Sequence, residues 1–181
     1  MIIKVCGMRE PQNIREVAAL AINWIGFIFY ERSKRFVERC PTEQQVTDSE
    51  QLSPKKVGVF VNATIESMME KASAYKLDYL QLHGNESPED CHTLQKRGYS
   101  LIKAFPIATK EDFEKTREYE GRVDYFLFDT RCEGYGGSGK RFDWSILTEY
   151  KGETPFLLGG GIRPENAEAI RNFRHPRLAG I

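Results

Sequence analysis

"FLLGGGIRPENA", residues 156–167, sets a strand, a turn and a helix start in one line. Phe156, Leu157 and Leu158 make a short apolar run. Three glycines follow and allow a tight turn. Arg163-Pro164-Glu165-Asn166 then reads as a first helical turn. Proline is tolerated there because its missing N–H has no partner in a first turn, and the acid sits at the positive end of the helix dipole. The stretch is one βα unit. Working outward, the same strand signal recurs at residues 2–6, 24–29, 56–61, 79–82, 101–105 and 125–129. These runs are nearly continuous in apolar character rather than alternating. That suits strands buried on both faces, as in a parallel sheet.

Helix signals lie between the runs. Residues 13–21 place Ile14, Val17, Ala18 and Ala21 on one face. Thr64 caps residues 65–75, with Ile65, Met68, Met69 and Ala72 facing inward. Ser87-Pro88-Glu89-Asp90 is another start, with Ser as cap. Thr109 caps residues 110–119. Pro41-Thr42-Glu43-Gln44 opens a weaker helix in the link from 34 to 54. Strand and helix alternate every ~20–30 residues, the βα repeat. Seven strands are clear, and residues 177–181 look like an eighth that has just begun. The expected fold is therefore an α/β, (β/α)8 TIM barrel in one domain, ending at the start of strand eight. An open doubly wound sheet is the rival. It would want GxGxxG after the first strand, and the glycine cluster instead comes after the seventh.

Composition narrows the class. With 181 residues, 40% of them hydrophobic, the chain can bury a real core. Its 26 basic residues equal its 26 acidic ones, so charge gives no reason to expect nucleic acid or an anionic membrane as partner. No apolar run is long enough to span a membrane, and the N-terminus lacks the features of a signal peptide, so the cytoplasm is the default location. Cysteines at 6, 40, 91 and 132 form no CxxC pair and are expected as free thiols. Cys91-His92 with Cys132 matches no structural zinc spacing, and no metal is expected.

In such a barrel the chemistry sits at the C-terminal strand ends. Those ends here are Cys6, the loop after Phe29, His83, Asp129 and Gly159–Gly161. Cys6 is either a small core thiol or a base. Asp129 is either a cap or an acid. A thiol acts as a base only as thiolate, and a carboxyl acts as an acid only when protonated, so a pair of this kind needs surroundings that differ. Gly160 and Gly161, before a helix, are either a tight turn or an anion cradle. Arg35, in Ser33-Lys34-Arg35-Phe36, is either solvated or a fork for a carboxylate. His83 is either a satisfied core histidine or a substrate ligand.

One competing motif needs exclusion. Gly134 to Lys140 has the spacing of a phosphate-binding P-loop. Arg141 stands where that motif requires the magnesium-binding Ser or Thr, so an NTPase is rejected.

Together the motifs resemble phosphoribosylanthranilate isomerase of tryptophan biosynthesis. They are KVCGM, GFIFYERSKRFV, KKVGVFVN, LQLHGNE, FLFDT…YGGSGKRFDW and LLGGGIRPENA, spread over the whole chain in the family's order. The resemblance implies a cofactor-free Amadori rearrangement of N-(5-phosphoribosyl)anthranilate to 1-(2-carboxyphenylamino)-1-deoxyribulose 5-phosphate. Asp129 matches the general acid and Cys6 the general base. Arg35 matches the arginine near the anthranilate carboxylate, and Gly160 and Gly161 match half of the phosphate cradle. The GGSGK stretch matches a loop that closes over a phosphorylated small-molecule substrate. Lys34 stands where the family usually has Pro, and Phe36 where Tyr is common.

The family continues past strand eight into a second phosphate loop and a last helix. The resemblance therefore implies an incomplete barrel, with open edges on strands one and seven, lowered stability and weak phosphate binding. A monomer or homodimer is expected. Two other functions stay open. One is a neighbouring synthase of the same pathway, which would need a strand-end Lys acid and a Glu base; Lys103 is the only plausible Lys, and no Glu closes a strand. The other is an inactive phosphate-binding barrel or assembly module.

Overall fold

The computed structural model describes residues 1–39, 54–130 and 144–181. Eight parallel strands form one sheet in sequential order. They are β1 (Lys4–Cys6), β2 (Trp24–Ile28), β3 (Lys55–Phe60), β4 (Tyr79–Leu82), β5 (Ser100–Ile107), β6 (Tyr125–Thr130), β7 (Phe156–Gly159) and β8 (Leu178–Gly180). The α-helices are α1 (Pro11–Ala18), α2 (Ile65–Ala74), α3 (Pro88–Lys96) and α4 (Ala167–Asn172). This is the expected (β/α)8 barrel. The helix expected from Pro41 lies outside the described residues.

The sheet closes on itself. β8 pairs with β7 through Phe156↔Leu178 and Leu157↔Gly180. On its other side Ile2 N–H donates to the Ala179 carbonyl at 2.8 Å, Ile181 N–H to the Ile2 carbonyl at 2.9 Å, and Lys4 N–H to the Ile181 carbonyl at 2.9 Å. The expected open edges on strands one and seven are thus corrected: β8 together with Ile181 after it pairs with both neighbours. Gly180 makes this approach possible, since a Cβ there would lie 2.3 Å from the Ile2 carbonyl oxygen.

Two layers of core follow from strand alternation. Outward-facing Phe60, Leu82, Phe126, Phe128 and Phe156 pack against Met68, Leu94 and Phe113 of the surrounding helices. Inward-facing Trp24, Val57, Ile102 and Leu157 fill the barrel floor. Trp24 meets the Tyr79 ring at 4.6 Å and the Tyr125 ring at 5.2 Å. These three rings come from the first residues of β2, β4 and β6, the alternate-strand layering of a filled barrel. They close the bottom, so any substrate enters from the other end.

Helix starts follow the sequence signals. Thr64 Oγ1 accepts from Ser67 N–H at 3.2 Å. Ser87 and Asp90 cap each other reciprocally at 3.1 and 2.9 Å. The segment Lys110–Tyr119 is a 3-10 helix rather than the expected α-helix, and Pro164–Asn166 is a 3-10 turn before α4. No described helix is long and apolar enough to cross a membrane.

Candidate active site

A side-chain contact between strands that are not neighbours must cross the barrel lumen. Lys4 of β1 reaches Gln81 of β4, and His83, just past β4, reaches Asp129 of β6. Lys4, Cys6, Gln81, His83 and Asp129 therefore face inward, Cys6 by sharing the face of Lys4 two residues away. Cys6, His83 and Asp129 sit at the open rim, above the aromatic floor.

Cys6 ends β1 opposite Gly26 of β2. A Cβ at Gly26 would lie 2.8 Å from Cys6 Sγ and 3.2 Å from Lys4 Nζ. Glycine at that position leaves one small volume that thiol and ammonium share. Asp129 lies next to Gly159 of β7, and its Oδ2 is 3.6 Å from His83 Nε2. Both side chains are about one-third exposed, at 32% and 34%, so they are open to a ligand yet held by the wall.

Arg35 joins Cys6 from the loop after β2. Its Nη1 donates to the Cys6 carbonyl at 2.9 Å. The loop is tied back by a bridge between Ile28 and Phe36, by Arg35 N–H donating to Ser33 Oγ, and by Arg9 donating to the Lys34 carbonyl. Gly7, at φ +86°, lets the guanidinium lie over the backbone; a Cβ there would come within 2.7 Å of it. The exposed fork thus hangs over the rim beside Cys6.

Gly160 and Gly161 follow β7 with φ of +78° and +63°, both in the left-handed region that favours glycine. Asn166 Nδ2 donates to the Gly161 carbonyl at 2.8 Å, fixing the turn against the start of α4. The GGSGK stretch lies outside the described residues. Cys91 is fully buried in the helix layer, and burial pushes its thiol up to about 12. It is a packing residue. No cluster of metal-ligating side chains occurs among the described residues.

Some of the site was not foreseen. Lys4 and Gln81 interrupt the apolar runs IIKVC and YLQLH, and a lone polar residue inside a buried strand was a usable signal. Gly26 inside WIGFI was another, since strand glycine marks close approach. Lys103, the candidate for a synthase acid, points away from the lumen. It is buried with Glu86 at 3.1 Å and donates to the carbonyls of Leu82 and Gly84, on either side of His83.

The family profile described as PRAI, N-(5'phosphoribosyl)anthranilate (PRA) isomerase, matches residues 3–181. N-(5'-phosphoribosyl)anthranilate isomerase of Parabacteroides distasonis is 97% identical over 181 residues, 100% of this chain and 82% of that protein. The chain belongs to the N-(5'-phosphoribosyl)anthranilate isomerase family. The expected isomerase activity in tryptophan biosynthesis stands with it, and the inactive-module alternative is not favoured. Two solved structures of this family overlay the barrel. One is a complex with reduced 1-(o-carboxyphenylamino)-1-deoxyribulose 5-phosphate, with TM-score 0.81 and 28% identity over 100% of this chain and 87% of that one. The other is of monomers generated from the dimeric isomerase of Thermotoga maritima, with TM-score 0.80, 28% identity and the same coverage.

Proposed function

We propose that the chain rearranges N-(5'-phosphoribosyl)anthranilate with Asp129 as general acid and Cys6 as general base. The observation that supports this division is the placement of one carboxyl and one thiol at the open rim of a barrel whose other end is plugged. Asp129 gives a proton to the ribose ring oxygen. The bond from C1′ to that oxygen breaks, and its electron pair goes to the oxygen. The anthranilate nitrogen lends its lone pair to C1′, leaving an open-chain iminium. The Cys6 thiolate then takes the proton from C2′. The freed pair forms the C1′–C2′ double bond and neutralises the iminium, giving an enolamine. Tautomerisation to the ketone completes an aldose–ketose shift with no net redox change and no cofactor.

Binding is assigned by charge. The Arg35 fork faces the anthranilate carboxylate, at the base end of the site. His83 lines the wall beside the acid. The amides of the Gly160–Gly161 turn, before α4, receive part of the phosphate. We place the enzyme in the cytoplasm, where the free thiols of Cys6 and Cys91 suit a reducing compartment. It acts as a monomer or a homodimer.

Substrate deuterated at C2′ tests the division of labour. In Cys6→Ser the weaker base makes proton abstraction limiting, so the isotope effect on kcat rises above that of the wild type. In Asp129→Asn ring opening is limiting, and the isotope effect vanishes. Equal isotope effects in the two variants would overturn the assignment.

A further inference from the structure

The barrel interior carries a line of polar contacts that the acid and base do not by themselves explain. Lys4 Nζ donates to Gln81 Oε1 at 2.8 Å. Gln81 Nε2 lies 2.8 Å from His83 Nδ1. His83 Nε2 lies 3.6 Å from Asp129 Oδ2. Chemistry fixes the direction of each step. An ammonium only donates, so the Gln81 amide must turn its oxygen toward Lys4. The amide nitrogen, also only a donor, is then aimed at His83, and Nδ1 must accept. A neutral His83 ring therefore carries its proton on Nε2, the nitrogen that faces Asp129.

We propose that Lys4 and Gln81 are positioning residues for the acid, presenting through His83 an N–H that holds one oxygen of the Asp129 carboxyl. This rests on Asp129 being the acid. The N–H pairs with the oxygen that carries no proton, Oδ2, which leaves the acidic proton on Oδ1. Once that proton has moved to the ring oxygen, the same N–H meets the carboxylate charge left behind. At 3.6 Å the contact is longer than a hydrogen bond, and catalytic contacts of this kind tighten when substrate binds.

The surroundings are built to hold the line. Gln81 is 1% exposed, so its amide has no water to fall back on. Gly26 clears space for the Lys4 ammonium, which a Cβ would approach to 3.2 Å. Lys103 grips the carbonyls on both sides of His83, and the Glu86 carboxylate accepts from the N–H groups of Asn62 and Gly84. Ring and backbone of His83 are thus fixed from opposite sides.

The test combines nitrogen-15 NMR of the histidine rings with kinetics on the full chain. His83→Gln assigns the signals. The wild-type ring is expected to carry its proton on Nε2. Gln81→Glu puts an acceptor opposite Nδ1, so the proton moves to Nδ1. Its kcat is expected to fall about 10- to 100-fold with KM within a few-fold, short of the 10²–10⁴ that a direct general acid contributes. Lys4→Arg keeps a cationic donor and is expected to recover part of the kcat lost in Lys4→Met. A wild-type ring protonated on Nδ1, or a folded Gln81→Glu protein with wild-type kcat, overturns the proposal. Asp129→Asn separates it from the reading beneath. Full activity there, with the tautomer as drawn, removes the acid role itself and the relay's purpose with it.

Discussion

Cys6 and Cys91 show how place decides what a thiol does. Cys6 ends a strand at an open rim, whereas Cys91 is sealed in the helix layer. Burial raises the Cys91 thiol to about 12, so almost none of it is thiolate at pH 8. Iodoacetamide at that pH is expected to modify Cys6 with loss of activity and to leave Cys91 unlabelled until the chain unfolds, as peptide mass mapping will show. Arg35 belongs to the same scale. Lysine keeps its charge but not the flat fork, so Arg35→Lys is expected to raise KM about tenfold, as loss of one bidentate contact does, with a smaller change in kcat. An unchanged KM would remove Arg35 from the carboxylate. The rim positions of Cys6, His83 and Asp129 were legible in the sequence because each stands at the end of an apolar run, and that of Arg35 because it lies in a basic loop that follows such a run. Lys4 and Gln81 were not read, because a pattern of apolar residues says where a strand lies but not which partner a polar residue within it finds across the lumen.

At the scale of elements, two devices tie loops to the barrel, one at each end. The Lys103–Glu86 pair lies buried between β5 and the loop after β4. Removing one partner of such a pair strands the other charge, at a cost of about 3–5 kcal/mol. Glu86→Gln is therefore expected to lower stability in urea denaturation by that order, and a loss below ~1 kcal/mol would mean the pair does not clamp the loop. The second device is His175, before β8. Its Nδ1 accepts from Arg177 N–H at 3.0 Å, and its Nε2 faces the Tyr150 carbonyl at 3.3 Å. Burial lowers its folded pKa below 6.5. The unfolded chain therefore binds this proton at higher pH than the folded one. Stability from His175 is complete above about pH 6.5 and is lost as pH falls below it toward the depressed folded value. Thermal melts between pH 7.5 and 5 should show this slope, and His175→Gln should flatten it. The 3-10 form of Lys110–Tyr119 was not legible. Its Thr109 cap and apolar spacing suit either helix, and they do not specify that Phe113 packs against Phe128 and Tyr150 or that the buried Thr116 hydroxyl donates to the Phe113 carbonyl.

For the whole molecule, closure is the decisive feature. The order of the strands could be read from the βα repeat, since neighbours in sequence become neighbours in the sheet. That residues 178–181 would pair with both β7 and the N-terminal segment could not, because it depends on backbone approach at a single glycine. Gly180→Ala is expected to destabilise the fold by about 1–3 kcal/mol, since the new methyl overlaps the Ile2 carbonyl and must push the seam apart. Hydrogen exchange at Ile2, Lys4 and Ile181 will report it, and unchanged protection there would place the closure elsewhere. A closed seam keeps β1 in register, and with it Cys6 at the same rim as Asp129.

The most direct test of that pairing measures turnover and binding in the same three proteins. Wild type, Cys6→Ala and Asp129→Asn are assayed for consumption of N-(5'-phosphoribosyl)anthranilate by fluorescence. Each is then titrated with reduced 1-(o-carboxyphenylamino)-1-deoxyribulose 5-phosphate, the compound bound in one of the solved structures of the family. The expected result is a loss of at least about 100-fold in kcat for each variant, with analogue affinity within a few-fold of wild type. Near wild-type kcat in either variant would contradict the acid and base assigned here.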